Sequence, residues 1–177
     1  MVLIKNKEII ASFNLNYEPT SVSIGQNLNQ IAVGGKVLTW LNFLFLIWKL
    51  IFYLIIIIKD NKVHIYQIDN NQFKETQSLQ ERDFVTSVRY SNNNEYLAVA
   101  DNAKNVKCYK IEQTSQSFSY TDITRDLWQH HAGRITAMSW SPDSNYLATS
   151  SVDTHCFIYS PSKIMSFIQI KSIYFIF

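Results

Sequence analysis

The chain has 177 residues, of which 47% are hydrophobic, 14% aromatic and 17% charged, and its formal net charge is +2. This length suffices for one domain with a sizeable core. Lys and Arg form no cluster, so neither nucleic acid nor an anionic membrane surface is indicated as a partner. Cys108 and Cys156 do not amount to a disulfide framework, which favours a reducing compartment.

The N-terminal segment alternates weakly between apolar and polar side chains, which predicts two short strands around a turn near Asn6. Acidic and amide residues stand where a signal peptide requires an apolar run, so secretion is not expected. Residues 17–36 then predict a half-buried strand, in which Val22 and Ile24 alternate with serines, and a short inner strand. The pair 34–35, Gly-Gly, is interpreted as the start of a tight turn rather than as a phosphate-binding loop.

Residues 37–58 form an almost continuous apolar run that contains Lys49 as its one charge. Taken alone, such a run predicts a transmembrane helix. A spanning helix would, however, separate two flanking segments that are expected to be hydrogen-bonded neighbours in one sheet. Residues 37–59 are therefore interpreted as a translated retained intron, since A/T-rich noncoding sequence translates into Phe, Ile and Leu. The alternatives are a membrane helix and a genuine loop insertion.

Three stretches of the chain are similar to one another. Residues 84–111 align without a gap with residues 134–160, at an offset of about 50 residues. A first copy begins at Thr20 and resumes over 60–68 when residues 37–59 are skipped. Self-similarity at about 40–45 residues is typical of the blades of a β-propeller.

The segments that follow the copies are the candidates for outer strands. We expect one such strand around Phe73 and another over residues 117–123. After Lys163 the chain becomes apolar again. Residues 164–177 are interpreted as a second piece of translated noncoding sequence or, alternatively, as an edge strand of the next blade.

The third copy resembles a WD repeat. The marks of this resemblance are His130 and His131 before the first strand, the run WSPDSNYLATSSVD over 140–153, and an apolar third strand that ends at Tyr159. The resemblance implies an all-β fold, an incomplete WD-repeat propeller of about three four-stranded blades interrupted by a hydrophobic, helical insertion. The partial propeller would span residues 1–163, with repeats at about 17–68, 84–111 and 130–160 and the insertion at 37–59. Three blades cannot close a ring, so we expect exposed blade edges and either poor solubility in isolation or assembly with the missing blades.

The resemblance also implies a structural hydrogen-bond network within each blade. It joins a His before the first strand, a Thr or Ser on the second, an Asp in the next turn and the aromatic residue of the third. In the third copy these residues would be His131, with His130 as the alternative, Thr149, Asp153 and Tyr159. Asp60 would be the turn aspartate of the first copy, whereas Ala103 takes that place in the second. Buried imidazoles and carboxylates need such partners.

More narrowly, the stretches FVTSVRYSNNNEYLAVAD and QHHAGRITAMSWSPDSNYLATSSVD resemble successive pieces of the C-terminal propeller of the actin-interacting protein 1 family. This resemblance implies a cytoplasmic protein of the actin cytoskeleton that binds actin filaments and works with cofilin to disassemble them. The alternatives are a generic WD-repeat scaffold for another protein complex and a single-pass membrane protein anchored by residues 37–58.

The sequence gives no sign of an enzyme. It contains no nucleophile motif and no paired carboxylates in an apolar setting, so we expect no catalytic residues and no cofactor. His155 and Cys156 are adjacent on a strand and would point to opposite faces, so no metal site is expected there. Core packing is the expected role of Cys108.

Overall fold

The computed structural model describes residues 2–5, 8–12, 15, 17–25, 30–36, 61–69, 72–114 and 117–171. Within these ranges the regular structure consists of strands and one short 3-10 turn at Pro161–Lys163. The strands are β1 (Val2–Lys5), β2 (Glu8–Ser12), β3 (Glu18–Gly25), β4 (Gln30–Lys36), β5 (Lys62–Asp69), β6 (Gln72–Gln80), β7 (Val85–Tyr90), β8 (Tyr96–Asp101), β9 (Val106–Gln113), β10 (Phe118–Asp122), β11 (Ile135–Trp140), β12 (Leu147–Ser151), β13 (His155–Tyr159) and β14 (Phe167–Lys171).

The strands form three four-stranded antiparallel sheets and a separate hairpin of β1 and β2. The first sheet contains β3 to β6, the second β7 to β10 and the third β11 to β14, and in each sheet consecutive strands are neighbours. The all-β prediction is thereby confirmed, and the three sheets have the strand number and order of propeller blades. The outer strands expected near Phe73 and over 117–123 are β6 and β10.

The prediction of a turn at Gly34 and Gly35 is wrong, because both residues lie inside β4. Gly34 pairs with Ser21 on one side and with Val63 on the other. A Cβ atom at Gly34 would lie 2.5 Å from Cγ1 of Val85 in the second sheet. The glycine is therefore explained by close packing between two sheets and not by turn geometry.

The end of the described chain belongs to the third sheet. β14 pairs antiparallel with β13, with Phe167 opposite Tyr159 and Lys171 opposite His155. Residues 167–171 thus supply the fourth strand of the third sheet, where they pair the backbone of β13, and are not the edge strand of a next blade.

The apolar insertion predicted at 37–59 lies outside the described residues, as does Asp60. Within the described ranges, no helix has the length and apolar character needed to cross a membrane.

The apolar core lies between adjacent sheets in two main clusters. The first contains Val88 and Leu97 of the second sheet together with Ile65 of the first. The second combines Ala98 of the second sheet with Trp140 of the third. Burial of a side chain of Val or Leu size contributes about 1.5–3 kcal/mol, so these clusters are the main source of adhesion between sheets.

Polar contacts fix the relative position of neighbouring first strands. The hydroxyls of Ser21 and Ser23 on β3 accept hydrogen bonds from the amides of Val88 and Tyr90 on β7, at 3.0 and 2.9 Å. In the next pair of sheets, the indole of Trp140 on β11 donates to the carbonyl of Arg89 on β7, at 3.0 Å. The first strands therefore run in the same direction, as inner strands of successive blades do.

Because the first strands run in the same direction, equivalent loops of the second and third sheets lie at the same end. We call the end where β7 and β11 begin the upper rim, and it comprises residues 81–84, 102–105, 123–134 and 152–154. The opposite end is the lower rim, with residues 91–95, 141–146 and 160–166. The network implied by the WD-repeat resemblance lies at the upper rim.

Candidate functional site

The imidazole of His131 is the centre of a polar cluster at the upper rim of the third sheet. Its Nδ1 lies 3.0 Å from Oδ2 of Asp153 and its Nε2 lies 2.8 Å from Oγ1 of Thr149. His131 and Thr149 are both buried. Because a carboxylate can only accept, Nδ1–H of the neutral ring donates to Asp153 and Nε2 accepts from the Thr149 hydroxyl. Burial lowers the pKa of His131, although the hydrogen bond and charge of Asp153 oppose this shift.

Asp153 ties two loops of the upper rim together. Its Oδ2 accepts from the amide of Ala132 at 2.7 Å, and its Oδ1 accepts from the amide of His155 at 2.9 Å. Burial acts to raise the pKa of Asp153, but hydrogen bonds from His155, His131 and Ala132 outweigh it and lower that pKa to about 2. The carboxylate is thus charged at neutral pH and holds the loop before β11 against the turn between β12 and β13.

The family pattern implied that Tyr159 would join the cluster of Thr149, but the structure places it elsewhere. Its hydroxyl lies 3.4 Å from Nδ1 of His130, the residue considered as the alternative histidine. The ring of Tyr159 is fully buried and stacks on Trp128, with 4.6 Å between ring centroids. The structure therefore brings His131, Thr149 and Asp153 into one cluster and places Tyr159 in a neighbouring one with His130 and Trp128.

Sequence reasoning missed Trp128, which is fully buried and donates from Nε1 to the carbonyl of Ile164 at 3.0 Å. The signal available was a large aromatic residue in an otherwise polar linker. Such a residue is rarely left in solvent when a core is close.

The second sheet has a different set of residues at the equivalent places. Glu81 stands about 50 residues before His131, the same offset that relates the two copies. Glu81 accepts from the hydroxyl of Tyr109 at 2.7 Å and pairs with Nζ of Lys107 at 3.0 Å. Burial raises the pKa of Glu81, opposed by the hydrogen bond from Tyr109 and the charge of Lys107.

In the second sheet Ala103 takes the place of the turn aspartate, and Asp101 closes the turn after β8 instead. Oδ1 of Asp101 accepts from the backbone amide of Asn105 at 3.0 Å, and Oδ2 of Asp101 accepts from the side-chain amide of Asn105 at 3.0 Å. Glu81 and Asp101 were both missed as members of a network. The repeat offset from His131 could have found Glu81.

The first sheet pairs its aromatic residues in a third way. The hydroxyls of Tyr66 and Tyr17 are 3.1 Å apart, and the Tyr17 ring stacks on His64 at 4.3 Å between centroids. His64 Nδ1 lies 2.8 Å from Oε1 of Glu75. The proposed turn aspartate of this sheet, Asp60, is among the residues that the structure does not describe.

These clusters are suited to fixing the loops of the rim. In the described part of the chain, no group of three His, Cys, Asp or Glu side chains is placed to hold a metal ion. Cys108 is buried in the second core cluster, and burial raises the pKa of its thiol, which keeps it protonated and weakly nucleophilic. The polar clusters satisfy buried groups and hold rim loops in one arrangement.

Comparison with known proteins accords with this arrangement. The family described as "WD domain, G-beta repeat" matches residues 123–160, which contain the His131 cluster. The chain contains a WD repeat and resembles actin-interacting protein 1. The Actin-interacting protein 1 of Drosophila melanogaster is 26% identical over 160 residues, which cover 90% of this chain and 22% of that protein.

Two further relatives show the same extent of similarity. WD repeat-containing protein 1-A of Xenopus laevis is 30% identical over 92% of this chain and 22% of its own length. The 66 kDa stress protein of Physarum polycephalum is 24% identical over 97% of this chain and 24% of its own length. The chain thus spans about a quarter of the length of these curated relatives.

Proposed function

We propose that the chain acts within an actin-binding WD-repeat protein of the cytoplasm, and that it works with cofilin to disassemble actin filaments. The observation that carries the proposal is the similarity to proteins named Actin-interacting protein 1 from two animals, at 26% and 24% identity. This similarity covers 90% and 84% of the chain, so it extends well beyond the single WD repeat.

The structure supports a binding role more than a catalytic one. WD-repeat proteins generally act as non-enzymatic scaffolds, and the Thr, His and Asp side chains of the third sheet hold rim loops through hydrogen bonds to one another. Rigid loops on a β scaffold are suited to display a surface to a protein partner. We therefore assign the chain a role in protein binding.

Co-sedimentation with actin filaments tests this proposal. The chain should pellet with filaments in a saturable way, and filaments decorated with cofilin should shorten faster when the chain is present. The variant Asp153→Ala, which removes the acceptor that ties the rim loops of the third sheet, should pellet less than the wild type. Absence of saturable pelleting by the wild-type chain would contradict the proposal and would favour the generic WD-repeat scaffold.

The apolar residues 37–59 need a separate test. We propose that they are a retained intron, so the mature message should join the codon of Lys36 directly to that of Asp60. Sequencing the transcript across this junction gives the answer. A message that keeps all the intervening codons would contradict the proposal and would favour the membrane-segment alternative. Alkaline extraction of membranes would then test that alternative.

A further inference from the structure

The two interfaces between the three sheets are built from the same positions of the repeat. On the side that faces the preceding sheet, the second sheet buries Val88 and Tyr90 of β7 against the first sheet. The third sheet buries Met138 and Trp140 of β11 against the second sheet in the same way. The two pairs are related by the offset of about 50 residues between the copies. We call this side of a sheet its leading face.

The opposite side of each sheet, its trailing face, receives the leading face of the next sheet. Ala32 lies opposite Ile65 on the first sheet, and Ala98 lies opposite Cys108 on the second. All four side chains are fully buried in the core clusters that join neighbouring sheets. Each internal interface therefore combines a trailing face of small and medium apolar side chains with a leading face that carries an aromatic one.

The first sheet leaves its leading face open on β3. Val22 and Ile24 stand at the places of Val88 and Tyr90 in the alignment of the first and second copies. Val22 is 52% exposed and Ile24 is 56% exposed, whereas their counterparts on β7 are buried. The serines that alternate with them on β3 face the second sheet, so the two apolar side chains point away from it. The innermost strand of the first sheet thus presents one half of an internal interface.

The third sheet leaves its trailing face open. Ala148 lies opposite Ile158, and the two residues stand at the places of Ala98 and Cys108. Ala148 is exposed and Ile158 is only partly buried, although both counterparts in the second sheet are fully buried. No further sheet follows the third one among the described residues, which accounts for the difference in exposure.

An exposed tyrosine belongs to the same open face. In the second sheet, Tyr96 stacks on Trp140 of the third sheet, with 5.9 Å between ring centroids. Tyr146 stands at the place of Tyr96 in the third sheet and is 49% exposed. A side chain at the position of Trp140 on an incoming sheet would cover the Tyr146 ring. On the first sheet, Ile24 holds that position.

A polar contact between first strands indicates the same pairing. The hydroxyl of Ser23 on the first sheet accepts from the amide of Tyr90 on the second sheet at 2.9 Å. Ser139 on β11 stands at the place of Ser23 and is exposed. The Ser139 hydroxyl is therefore placed to accept from an amide at the Tyr90 position of another first strand, which in the first sheet is the amide of Ile24.

From these equivalences we propose that copies of this chain associate head to tail, with the trailing face of one copy covering the leading face of another. Ile24 of one copy would pack against Tyr146, Ala148 and Ile158 of the other, as Trp140 packs against Tyr96 within the chain. A second copy fits because one chain carries both uncovered halves of an interface that it already forms twice. The inference goes beyond the proposed function and does not depend on actin.

The contact is heterologous, because it joins two different faces of the chain. Each copy in a pair therefore still has a face that can take a further copy, unless the assembly closes into a ring. The buried strip is narrow, so we expect association that depends on concentration. At low concentration the chain is a monomer in which Val22 and Ile24 remain exposed.

The test measures the mass of the full chain by sedimentation velocity over a wide range of concentration. The mean mass of the wild type should rise above that of the monomer. Ile24→Lys damages the leading face and Ala148→Lys the trailing face. Each change places an unpaired charge in the contact, so each should raise the dissociation constant roughly tenfold or more.

An equimolar mixture of these two variants gives the sharpest result. Ile24→Lys retains an intact trailing face and Ala148→Lys retains an intact leading face, so one productive contact remains possible between them. The mixture should form a species of twice the monomer mass and stop there, because both other faces are damaged. Contact between identical faces predicts the opposite, since one of the two variants would then still associate alone.

Controls separate loss of the contact from damage to the fold. Leu127→Lys changes a residue that is 44% exposed on the upper rim, outside both faces, and should associate like the wild type. Ile24→Lys and Ala148→Lys should keep the wild-type circular dichroism and thermal midpoint, because both positions are exposed. Val22→Lys and Tyr146→Lys probe the same two faces at second positions and should give the same result.

Three results would overturn the inference. The first is a wild-type chain that stays monomeric throughout the concentration range. The second is association that survives in both variants, as it would through the apolar residues 37–59. The third is association of one variant alone. Actin takes no part in the measurement, so these failures leave the actin proposal standing, and failure of the chain to pellet with filaments leaves this inference standing.

Discussion

The second and third sheets share one backbone plan but hold their upper rims with different chemistry. In the third sheet a neutral His131 lies between Thr149 and a charged Asp153. In the second sheet a buried Glu81 lies between Tyr109 and Lys107. The repeat therefore conserves the place of a buried polar group and not its identity, since either set can satisfy its members.

The two clusters differ in how burial affects their charge. Hydrogen-bond donors surround Asp153 and lower its pKa, whereas burial dominates at Glu81 and raises its pKa. A charged carboxylate thus stabilises the folded third sheet, while ionisation of Glu81 opposes folding of the second. The following predictions test this difference and the packing around it.

The largest effect is expected at Trp128, which packs in the core beside the third sheet. The second sheet has no tryptophan at the equivalent position. Trp128→Ala removes a fully buried indole that stacks on Tyr159. The free energy of unfolding should fall by about 3–5 kcal/mol. Urea denaturation followed by far-ultraviolet circular dichroism measures it, and Leu127→Ala, an exposed neighbour, is the control. A loss below about 1 kcal/mol would show that Trp128 contributes little to the core.

The next effect concerns the carboxylate of the third sheet. Asp153→Ala leaves His131 and the amides of Ala132 and His155 without their acceptor. We expect a loss of about 2–4 kcal/mol, from the unsatisfied buried imidazole of His131 and the two loop amides. Asp126→Ala, which removes only an exposed ion pair with Arg82, should cost at most about 1 kcal/mol. Equal losses in the two variants would contradict a special role for Asp153.

Equivalent apolar positions on β3 and β7 provide a comparison within the repeat. Val22 is 52% exposed on the first sheet, whereas Val88 at the same place in the second is fully buried. Val88→Ala should cost roughly 1–3 kcal/mol, and Val22→Ala less than about 0.5 kcal/mol. Chemical denaturation of both variants measures this. A large loss for Val22→Ala would mean that its side chain is covered in solution.

Replacement of Val22 by a polar residue should also affect association. Because exposed apolar strand faces promote aggregation, Val22→Thr should raise the solubility limit of the chain, while Val88→Thr should lower it. Light scattering at increasing concentration distinguishes the two.

The smallest effect is a change in pH dependence. The pKa of Glu81 is raised above its ordinary value of 4.5, so the folded state holds this proton more tightly than the unfolded chain. Stability from this group therefore falls as pH rises through and above 4.5. Glu81→Gln should remove that decrease, as urea midpoints measured between pH 4 and pH 8 would show.

The third sheet should respond in the opposite direction. The pKa of Asp153 falls from 3.8 to about 2, so its contribution is present above pH 3.8 and is lost as pH falls towards 2. The pKa of His131 is lowered from its ordinary value of 6.5, so the stability that depends on this group also falls as pH drops below 6.5. Asp153→Asn should flatten the acid limb. An unchanged acid limb in this variant would contradict the assignment.

Much of the fold could be predicted from the sequence because strand positions depend on local patterns. Alternation and repeat offset located the strands of the three sheets apart from β14, including the outer strands β6 and β10. The cluster of His131, Thr149 and Asp153 could also be anticipated, because the resemblance to a WD repeat implies these positions and a buried imidazole needs partners.

Other features depended on contacts that only the folded chain creates. Gly34 reads as a turn residue in the sequence, yet the approach of Val85 from the next sheet explains it inside a strand. Tyr159 faces His130 and Trp128 instead of Thr149, because the stacked indole fixes the direction of its ring.

The sequence alone determined the period of the repeat and most of its strands, because these follow from side-chain alternation and spacing. Tertiary structure decided which polar side chains meet at the rim of each sheet. Glu81 came to pair with Lys107 and Tyr109. Such pairings depend on distances between loops far apart in the chain, which local pattern does not specify.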